Sequence, residues 1–355
     1  MTLRGQVLEL INDILTDPAP EGEWARRQLR DLLAAHPDEP ERALLQHLMA
    51  VTAAGPAVSP ADPTTPDERE NIGQGSFVPP GPRNVPASLG RRGRKRIRAV
   101  LGNRMLLTAF QPIRELPAGN VAGFEALARF VSRDGAGADT WFREAAAIGL
   151  KTDLEIAALH CALSAAREVP AHLFVGFNLS PATCIDPRVQ ALLESGDLAL
   201  ERIVIELVGR VTGAQLDGLI RVLGPLRRLG LRVAVDGSGA DAASPEQILQ
   251  IFPDIIKLDR SFIDGIIHPD PVRPQDTYVI ELAKQIGAVL SAKGIETREE
   301  LAAVIQAGMD TGQGYPLGRP SVHPLDWSAW TIEGATTGVP DPAGAREQRH
   351  PLPGV

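Results

Sequence analysis

Short apolar runs and longer amphipathic stretches alternate along the central and C-terminal parts of the chain. Seven apolar runs have the length of buried strands, and they cover residues 105–113, 121–130, 173–180, 202–208, 231–236, 254–259 and 288–294. Apolar residues recur with helical spacing between them, for example in 154–168, 214–230 and 276–287. Repeated strand–helix units of this kind predict an α/β fold in the form of a (β/α) barrel.

The first 53 residues show helical spacing instead of strand-like runs. Leu3, Val7, Leu10 and Ile14 fall on one face of a first helix, and Pro40 suits the first position of a third. Apolar stripes this small are not stable alone, so the helices must pack on one another or on a second copy. We expect residues 1–53 to form an all-helical N-terminal module, either a plain bundle or a surface for self-association or a protein partner.

The segment that follows the predicted helices is rich in proline. Residues 54–94 hold closely spaced prolines, which predict an extended linker, and the segment leads into the basic run RRGRKRIR at 91–98. A basic run can touch anionic lipid or nucleic acid, but Ile97, Val100 and Leu101 favour the start of a helix that enters the barrel. Residues 334–355 are rich in Gly, Pro and Ala, and we expect them to be disordered.

The composition excludes several classes of protein. With 355 residues and a net charge of −8, the chain lacks the broad basic face of a general nucleic-acid binder. Its two cysteines, Cys161 and Cys184, show neither metal-site spacing nor a disulfide framework. The N-terminus has no signal-peptide core, and no apolar run is long enough for a membrane span. We therefore expect a cytoplasmic protein.

Polar side chains lie where the predicted strands end. Glu125, Asn178, Glu206, Asp236 and Lys257 each lie on a separate run, all but Glu125 within its last three residues, and Gln313 follows further along the chain. In (β/α) barrels the chemistry lies at the carboxyl ends of the strands. Three carboxylates and an amide brought together there indicate a site for a hard cation such as Mg²⁺ or Mn²⁺, which prefers oxygen ligands.

Eight short segments then occur in a recognisable order. They are FQPI, FEALAR, NLSP, IEL, the Asp236 loop, IIKLDRSF, KGIET and QGYPLGRP. In order and spacing they resemble the EAL domain family over residues 95–333. The resemblance implies a modified (β/α)8 TIM-like barrel with one antiparallel strand, preceded here by the helical segment, and cyclic-di-GMP as the substrate.

The resemblance also implies roles for single residues. Glu125, Asn178, Glu206 and Asp236 match the ligands of the first metal. Lys257 matches the lysine beside the attacking water and the scissile phosphate. The positions that shape or contact the nucleotide pocket are Gln111, Leu127, Arg129, Lys257, Asp259, Gln313, Tyr315 and Pro320. The planar guanidinium of Arg129 suits bidentate recognition of a phosphate.

Three positions depart from the pattern of active EAL domains, and the first is Gly209, where active members have a glutamate. Gly237 stands where active members have a second aspartate, so the second metal site lacks a ligand. The spacing from Lys257 places Lys293, and not Glu296, on the general-base position. Because an ammonium has no lone pair, it cannot accept the proton of the attacking water. Loss of a positioned base alone costs about 10²–10⁴ in rate, so no catalytic residue is assigned.

Three interpretations remain open on the sequence. The first is a degenerate EAL domain that binds cyclic-di-GMP or acts as a regulatory module, with little or no hydrolysis. The second is a protein-interaction scaffold that no longer binds the nucleotide. The third is a metal-dependent phosphodiesterase with residual activity, which would use one Mg²⁺ or Mn²⁺. In a metal-free protein, the Lys293 ammonium is expected to neutralise the carboxylates where the second metal would lie.

Overall fold

The computed structural model describes residues 3–16, 23–53, 87–103, 106–130, 136–237, 243–267, 274–322 and 326–327. Most of the predicted proline-rich linker and the whole predicted tail at 334–355 lie outside these ranges. No helix in the described ranges combines the length and apolar character that a membrane crossing requires.

Eight strands close into a barrel in sequence order, as the resemblance implied. They are β1 (Leu106–Glu115), β2 (Val121–Phe130), β3 (Phe174–Leu179), β4 (Ile203–Leu207), β5 (Arg232–Asp236), β6 (Ile255–Leu258), β7 (Val289–Ile295) and β8 (Thr311–Gly314). Strand β1 runs antiparallel to both of its neighbours, β2 and β8, and the other neighbouring strands pair in parallel. The predicted modified barrel with one antiparallel strand is confirmed.

The apolar pattern located seven of these strands and missed the eighth. Strand β8 has the sequence TGQG, which contains neither a β-branched aliphatic residue nor an aromatic one. Its backbone is held by β7 on one side and by Arg114 and Glu115 of β1 on the other. The strand therefore exists because closing the barrel satisfies its backbone groups, and local propensity contributes little.

Helices cover the outside of the barrel. They are α5 (Ala138–Ala147), α6 (Lys151–Ala165), α7 (Pro181–Cys184), α8 (Pro187–Ser195), α9 (Gly213–Arg228), α10 (Pro245–Ile251), α11 (Arg260–Ile267), α12 (Pro274–Ile286) and α13 (Arg298–Gln306). Several begin at side chains that cap their free amides, such as Ser244 before α10 and Thr297 before α13. Inside the barrel, Val204, Ala234 and Ile255 form a small apolar layer with Phe174, below the polar strand ends.

Among the described residues, four helices precede the barrel: α1 (Leu3–Thr16), α2 (Glu23–Ala35), α3 (Pro40–Ala53) and α4 (Ala87–Asn103). Helices α1 to α3 contact one another, and Val7, Leu29 and Leu44 are fully buried. The small all-helical N-terminal segment is thus confirmed as structure, while its role stays a prediction.

The basic run lies within α4, where Ile97 and Val100 pack against Trp141 of α5. The guanidinium of Arg96 lies 4.0 Å from the centre of the Trp141 ring. Because α4 begins at Ala87, residues 87–94 are helical, and the prediction of an extended linker as far as residue 94 was wrong there. The last proline of the segment is Pro86, so nothing after it prevents a helix.

Candidate functional site

The carboxyl ends of the strands bring the predicted polar residues together at one end of the barrel, here called the mouth. Strand register aligns them in neighbouring pairs: Gln111 with Glu125, Asn178 with Glu206, Asp236 with Lys257, and Lys293 with Gln313. Adjacent strands thus present polar residues at the same level all around the mouth.

Lys257 lies at the centre of this cluster and is buried. Its Nζ donates to Glu125 Oε2 at 2.7 Å and to Glu206 Oε2 at 2.5 Å. The Asn178 amide donates to the other oxygen of Glu125, with Nδ2 2.8 Å from Oε1. Both buried glutamates therefore have a charged partner, without which their burial would be strongly unfavourable.

Burial and neighbouring charges move the pKa values of these groups in opposite directions. Burial raises the pKa of Glu125, but the Lys257 ammonium and the hydrogen bonds from Lys257, Asn178 and Gln313 outweigh it and bring that pKa to about 2. Burial and the negative charge of Glu125 raise the pKa of Glu206 to about 7, although both lysines oppose this. Burial lowers the pKa of Lys257, but the two glutamates reverse the effect and raise it. The Glu125–Lys257 pair is therefore ionised, and Glu206 is the carboxylate most easily neutralised.

Lys293 reaches the cluster from the next strand, β7. Its Nζ donates to Asp236 Oδ1 and lies 3.9 Å from Glu206 Oε1. The Glu296 side chain is 63% exposed and pairs with the Arg260 guanidinium at 3.5 Å. Both Lys293 and Glu296 line a cavity at the mouth, but it is Lys293 that donates to the carboxylate cluster.

The backbone leaves no room for a side chain at Gly237. A Cβ there would lie 2.4 Å from Cγ2 of Ile256 and 3.0 Å from Cγ1 of Val279, between β6 and α12. The Gly237 amide donates to the Lys257 carbonyl at 2.8 Å, which fixes this orientation. A side chain at this position would thus meet the apolar layer outside the barrel, not the carboxylates of the mouth.

Two cavities open beside the cluster. One, of about 670 Å³, lies between the ends of β2 and β3 and helices α5 and α6, and its wall includes Glu125, Leu127, Arg129 and Asn178. The other, of about 390 Å³, has a wall that includes Gln111, Glu125, Leu127, Asp259, Lys293, Gln313 and Tyr315. Seven of the eight predicted pocket positions thus border a cavity or, in the case of Lys257, the cluster beneath both. Pro320 is half-buried and lines neither of the two.

Hydrogen bonds fix several of these side chains. Gln313 Nε2 donates to Gln111 Oε1 at 3.0 Å, and Gln111 Nε2 donates to the carbonyl of Gly318 at the same distance. Asp259 accepts from both the amide and the hydroxyl of Ser261 at the start of α11. Hydrogen bonds within the protein therefore hold the side chains of Gln111, Gln313 and Asp259 in place without a ligand.

Sequence reasoning missed part of the larger cavity. Phe142 and Arg143 of α5 and Lys151 and Glu155 of α6 line it. Each looks like an ordinary residue of an amphipathic helix, so no local signal separates it from the rest of the surface. Only the packing of α5 and α6 against β2 brings them to the site.

The cluster does not present an arrangement suited to a divalent metal. Oxygens of Glu125, Glu206 and Asp236 point at lysine ammonium groups instead of converging on a common point. In the part of the chain that the structure describes, no three His, Cys, Asp or Glu residues are arranged to hold a metal ion. With both lysines in these positions the donor set does not fit a cation, and the predicted metal ligands stay a prediction.

Comparison with known proteins identifies the domain. The family model of the EAL domain matches residues 94–320, more than half of the chain. The uncharacterized protein y4lL of Sinorhizobium fredii (strain NBRC 101917 / NGR234) is 29% identical over 262 residues, which are 71% of this chain and 32% of that protein. The probable cyclic di-GMP phosphodiesterase PdeB of Escherichia coli (strain K12) is 26% identical over 250 residues, which are 66% of this chain and 46% of PdeB. The chain thus spans less than half the length of either relative.

Solved structures show the same fold. The PaMucR phosphodiesterase in its c-di-GMP complex superposes with a TM-score of 0.57 at 21% identity, over 65% of this chain and 97% of that one. The Bacillus subtilis YkuI protein, solved with c-di-GMP and calcium, gives a TM-score of 0.54 at 22% identity, over 68% of this chain and 64% of that one. The closed barrel, its antiparallel first strand and the match over residues 94–320 agree: this chain belongs to the EAL domain family.

Proposed function

We propose that the barrel mouth binds cyclic-di-GMP and does not hydrolyse it, so that the domain acts as a receptor or regulatory module in signalling by this nucleotide. The observation that carries the proposal is the position of Lys293. Its ammonium donates to Asp236 at the place where the family has its general base, while the residues of the predicted nucleotide pocket stay grouped around the two cavities.

The shape and charge of the mouth support binding of a phosphate-containing ligand. The two cavities share Glu125 and Leu127, and each has a volume within the range of small-molecule sites, which is roughly 300–1,000 Å³. Each cavity has both basic and acidic side chains on its wall: Arg129 and Arg143 accompany Asp139 and Glu155 in the larger one, and Lys293 and Arg260 accompany Asp259 and Glu296 in the smaller. The guanidinium and ammonium groups are the partners that an extended dianion reaching into both cavities would use. The c-di-GMP complex of the structurally similar PaMucR phosphodiesterase is consistent with this choice of ligand.

Hydrolysis is not favoured by the same geometry. A general base must accept a proton from the attacking water, and an ammonium that donates to Asp236 has no lone pair for it. Metal-dependent activation of water needs carboxylate oxygens free for cations, but these oxygens face Lys257 and Lys293. A phosphodiesterase with residual activity is the second candidate. It is favoured by the grouping of Glu125, Asn178, Glu206 and Asp236 and by the name of the E. coli relative.

Calorimetric titration with cyclic-di-GMP, in buffer containing EDTA, tests the proposal. We expect one nucleotide site per barrel, and binding about 10- to 100-fold weaker in Arg129→Ala, because one charge-assisted phosphate contact contributes about 1.5–3 kcal/mol. Arg221→Ala is the matched control, since Arg221 is exposed on α9 and lines neither cavity. Absence of binding to the wild-type protein, with or without Mn²⁺, would favour the scaffold interpretation instead.

A further inference from the structure

The charges of the mouth alternate in space. Lys257 lies between Glu125 and Glu206, and Lys293 lies between Glu206 and Asp236. Each of the three carboxylates thus has an ammonium partner, and when all three are ionised their charge exceeds that of the two lysines by one. Like charges at this separation repel strongly in a partly buried site, so the two ammonium groups are what permits the carboxylates to lie together.

The two lysines differ in how firmly they are held. The Lys257 side chain is 4% exposed and donates to two buried glutamates, whereas that of Lys293 is 29% exposed and also lines the smaller cavity. A divalent cation could bind Asp236 and Glu206 only by displacing the Lys293 ammonium, which lies between them. Gly237 supplies no competing ligand, because that position has no room for a side chain as the backbone stands.

We propose that Lys293 is a built-in cation that replaces a divalent metal at the mouth. Its ammonium neutralises Asp236 and Glu206, keeps metal ions out while it is present, and makes the assembled cluster independent of divalent cations. The same group faces the smaller cavity and is placed to attract a phosphate oxygen. Only this last part rests on the proposed nucleotide binding.

The test compares the response of wild-type protein and Lys293→Gln to Mn²⁺ in the absence of nucleotide. For the wild type, we expect thermal unfolding to be the same in EDTA and in Mn²⁺, and calorimetry to detect no stoichiometric Mn²⁺ site. For Lys293→Gln, we expect a stoichiometric Mn²⁺ site, because Asp236 and Glu206 lose their ammonium partner. Its affinity for Mn²⁺ should be at least tenfold higher than any residual affinity of the wild-type protein. A hundredfold excess over its Kd would raise the melting temperature by roughly 5–10 °C. Lys284→Gln, which removes the same charge from an exposed position on α12, should behave like the wild type.

Two outcomes overturn the proposal. One is a stoichiometric Mn²⁺ site in the wild-type protein that is lost in Asp236→Asn, which would mean that the metal and Lys293 coexist. The other is an equal Mn²⁺ response, or none, in the wild type and in a folded Lys293→Gln. If that variant does not fold, the wild-type measurement decides alone, since stoichiometric Mn²⁺ binding there contradicts the proposal and its absence supports it. Because no nucleotide is present, these results do not depend on whether cyclic-di-GMP binds.

Discussion

The mouth of the barrel has two sides that share Glu206 and differ in almost everything else. On the β6 side, Lys257 is buried between Glu125 and Glu206 and donates to both. On the β7 side, the Lys293 side chain is 29% exposed and donates to Asp236, the residue before Gly237. The carboxylates of the first side are buried, so the folded protein needs Lys257 to neutralise them. The second side is accessible to water and to ligands.

The largest expected effect lies on the β6 side. Lys257→Met leaves Glu125 buried without its cation and Glu206 with only Lys293 at 3.9 Å, and breaking a buried ion pair by removing one partner costs about 3–5 kcal/mol. Urea unfolding followed by circular dichroism measures this loss. If the free energy of unfolding fell by less than about 1 kcal/mol, the glutamates would have other partners. Lys257 would then be no more important to stability than Lys293.

Gly237→Asp is expected to be the next most damaging change. Its Cβ would clash with Ile256, and its carboxylate would enter an apolar layer, so we expect a loss of about 2–4 kcal/mol in the free energy of unfolding. Gly237→Ala separates the two causes because it adds the clash without the charge, and it should cost about 1–3 kcal/mol. If the aspartate variant is as stable as the wild type, the backbone at position 237 can rotate to direct the new carboxylate away from Ile256. One substitution could then restore a second metal ligand.

A smaller effect is expected on the β7 side. Lys293→Met removes one partner of Asp236, but water reaches this position, so the loss should be about 1–2 kcal/mol, well below that of Lys257→Met. The same unfolding assay in EDTA gives both values. Equal losses for the two lysine variants would contradict the assignment of a structural role to one and a replaceable role to the other.

The smallest effect is expected at Glu296. Glu296→Gln removes a carboxylate that is exposed and paired only loosely with Arg260, so stability should change by less than about 0.5 kcal/mol. The amount of linear product should also match the wild type. A clear loss of hydrolytic activity in this variant would mean that Glu296, not Lys293, occupies the position of the base.

Much of the fold could be predicted because strands in a barrel are long apolar runs, and β2 was located at 121–130 as observed. Strand β8 could not, since TGQG owes its conformation to its neighbours. The polar strand ends were likewise predictable from the rule that a barrel presents them together. The orientation of Gly237, and the helical wall formed by Phe142 and Arg143, depend on packing between distant segments and leave no local trace in the sequence.

Nucleotide recovered from the complex shows whether the mouth holds cyclic-di-GMP without cleaving it. Equimolar protein and cyclic-di-GMP are incubated with Mn²⁺, the protein is denatured, and the cyclic and linear dinucleotides are separated and quantified. The nucleotide bound at the start should be recovered in cyclic form, from the wild type and from Arg221→Ala alike. Conversion to the linear dinucleotide by the wild type within a few minutes would contradict the proposed receptor role.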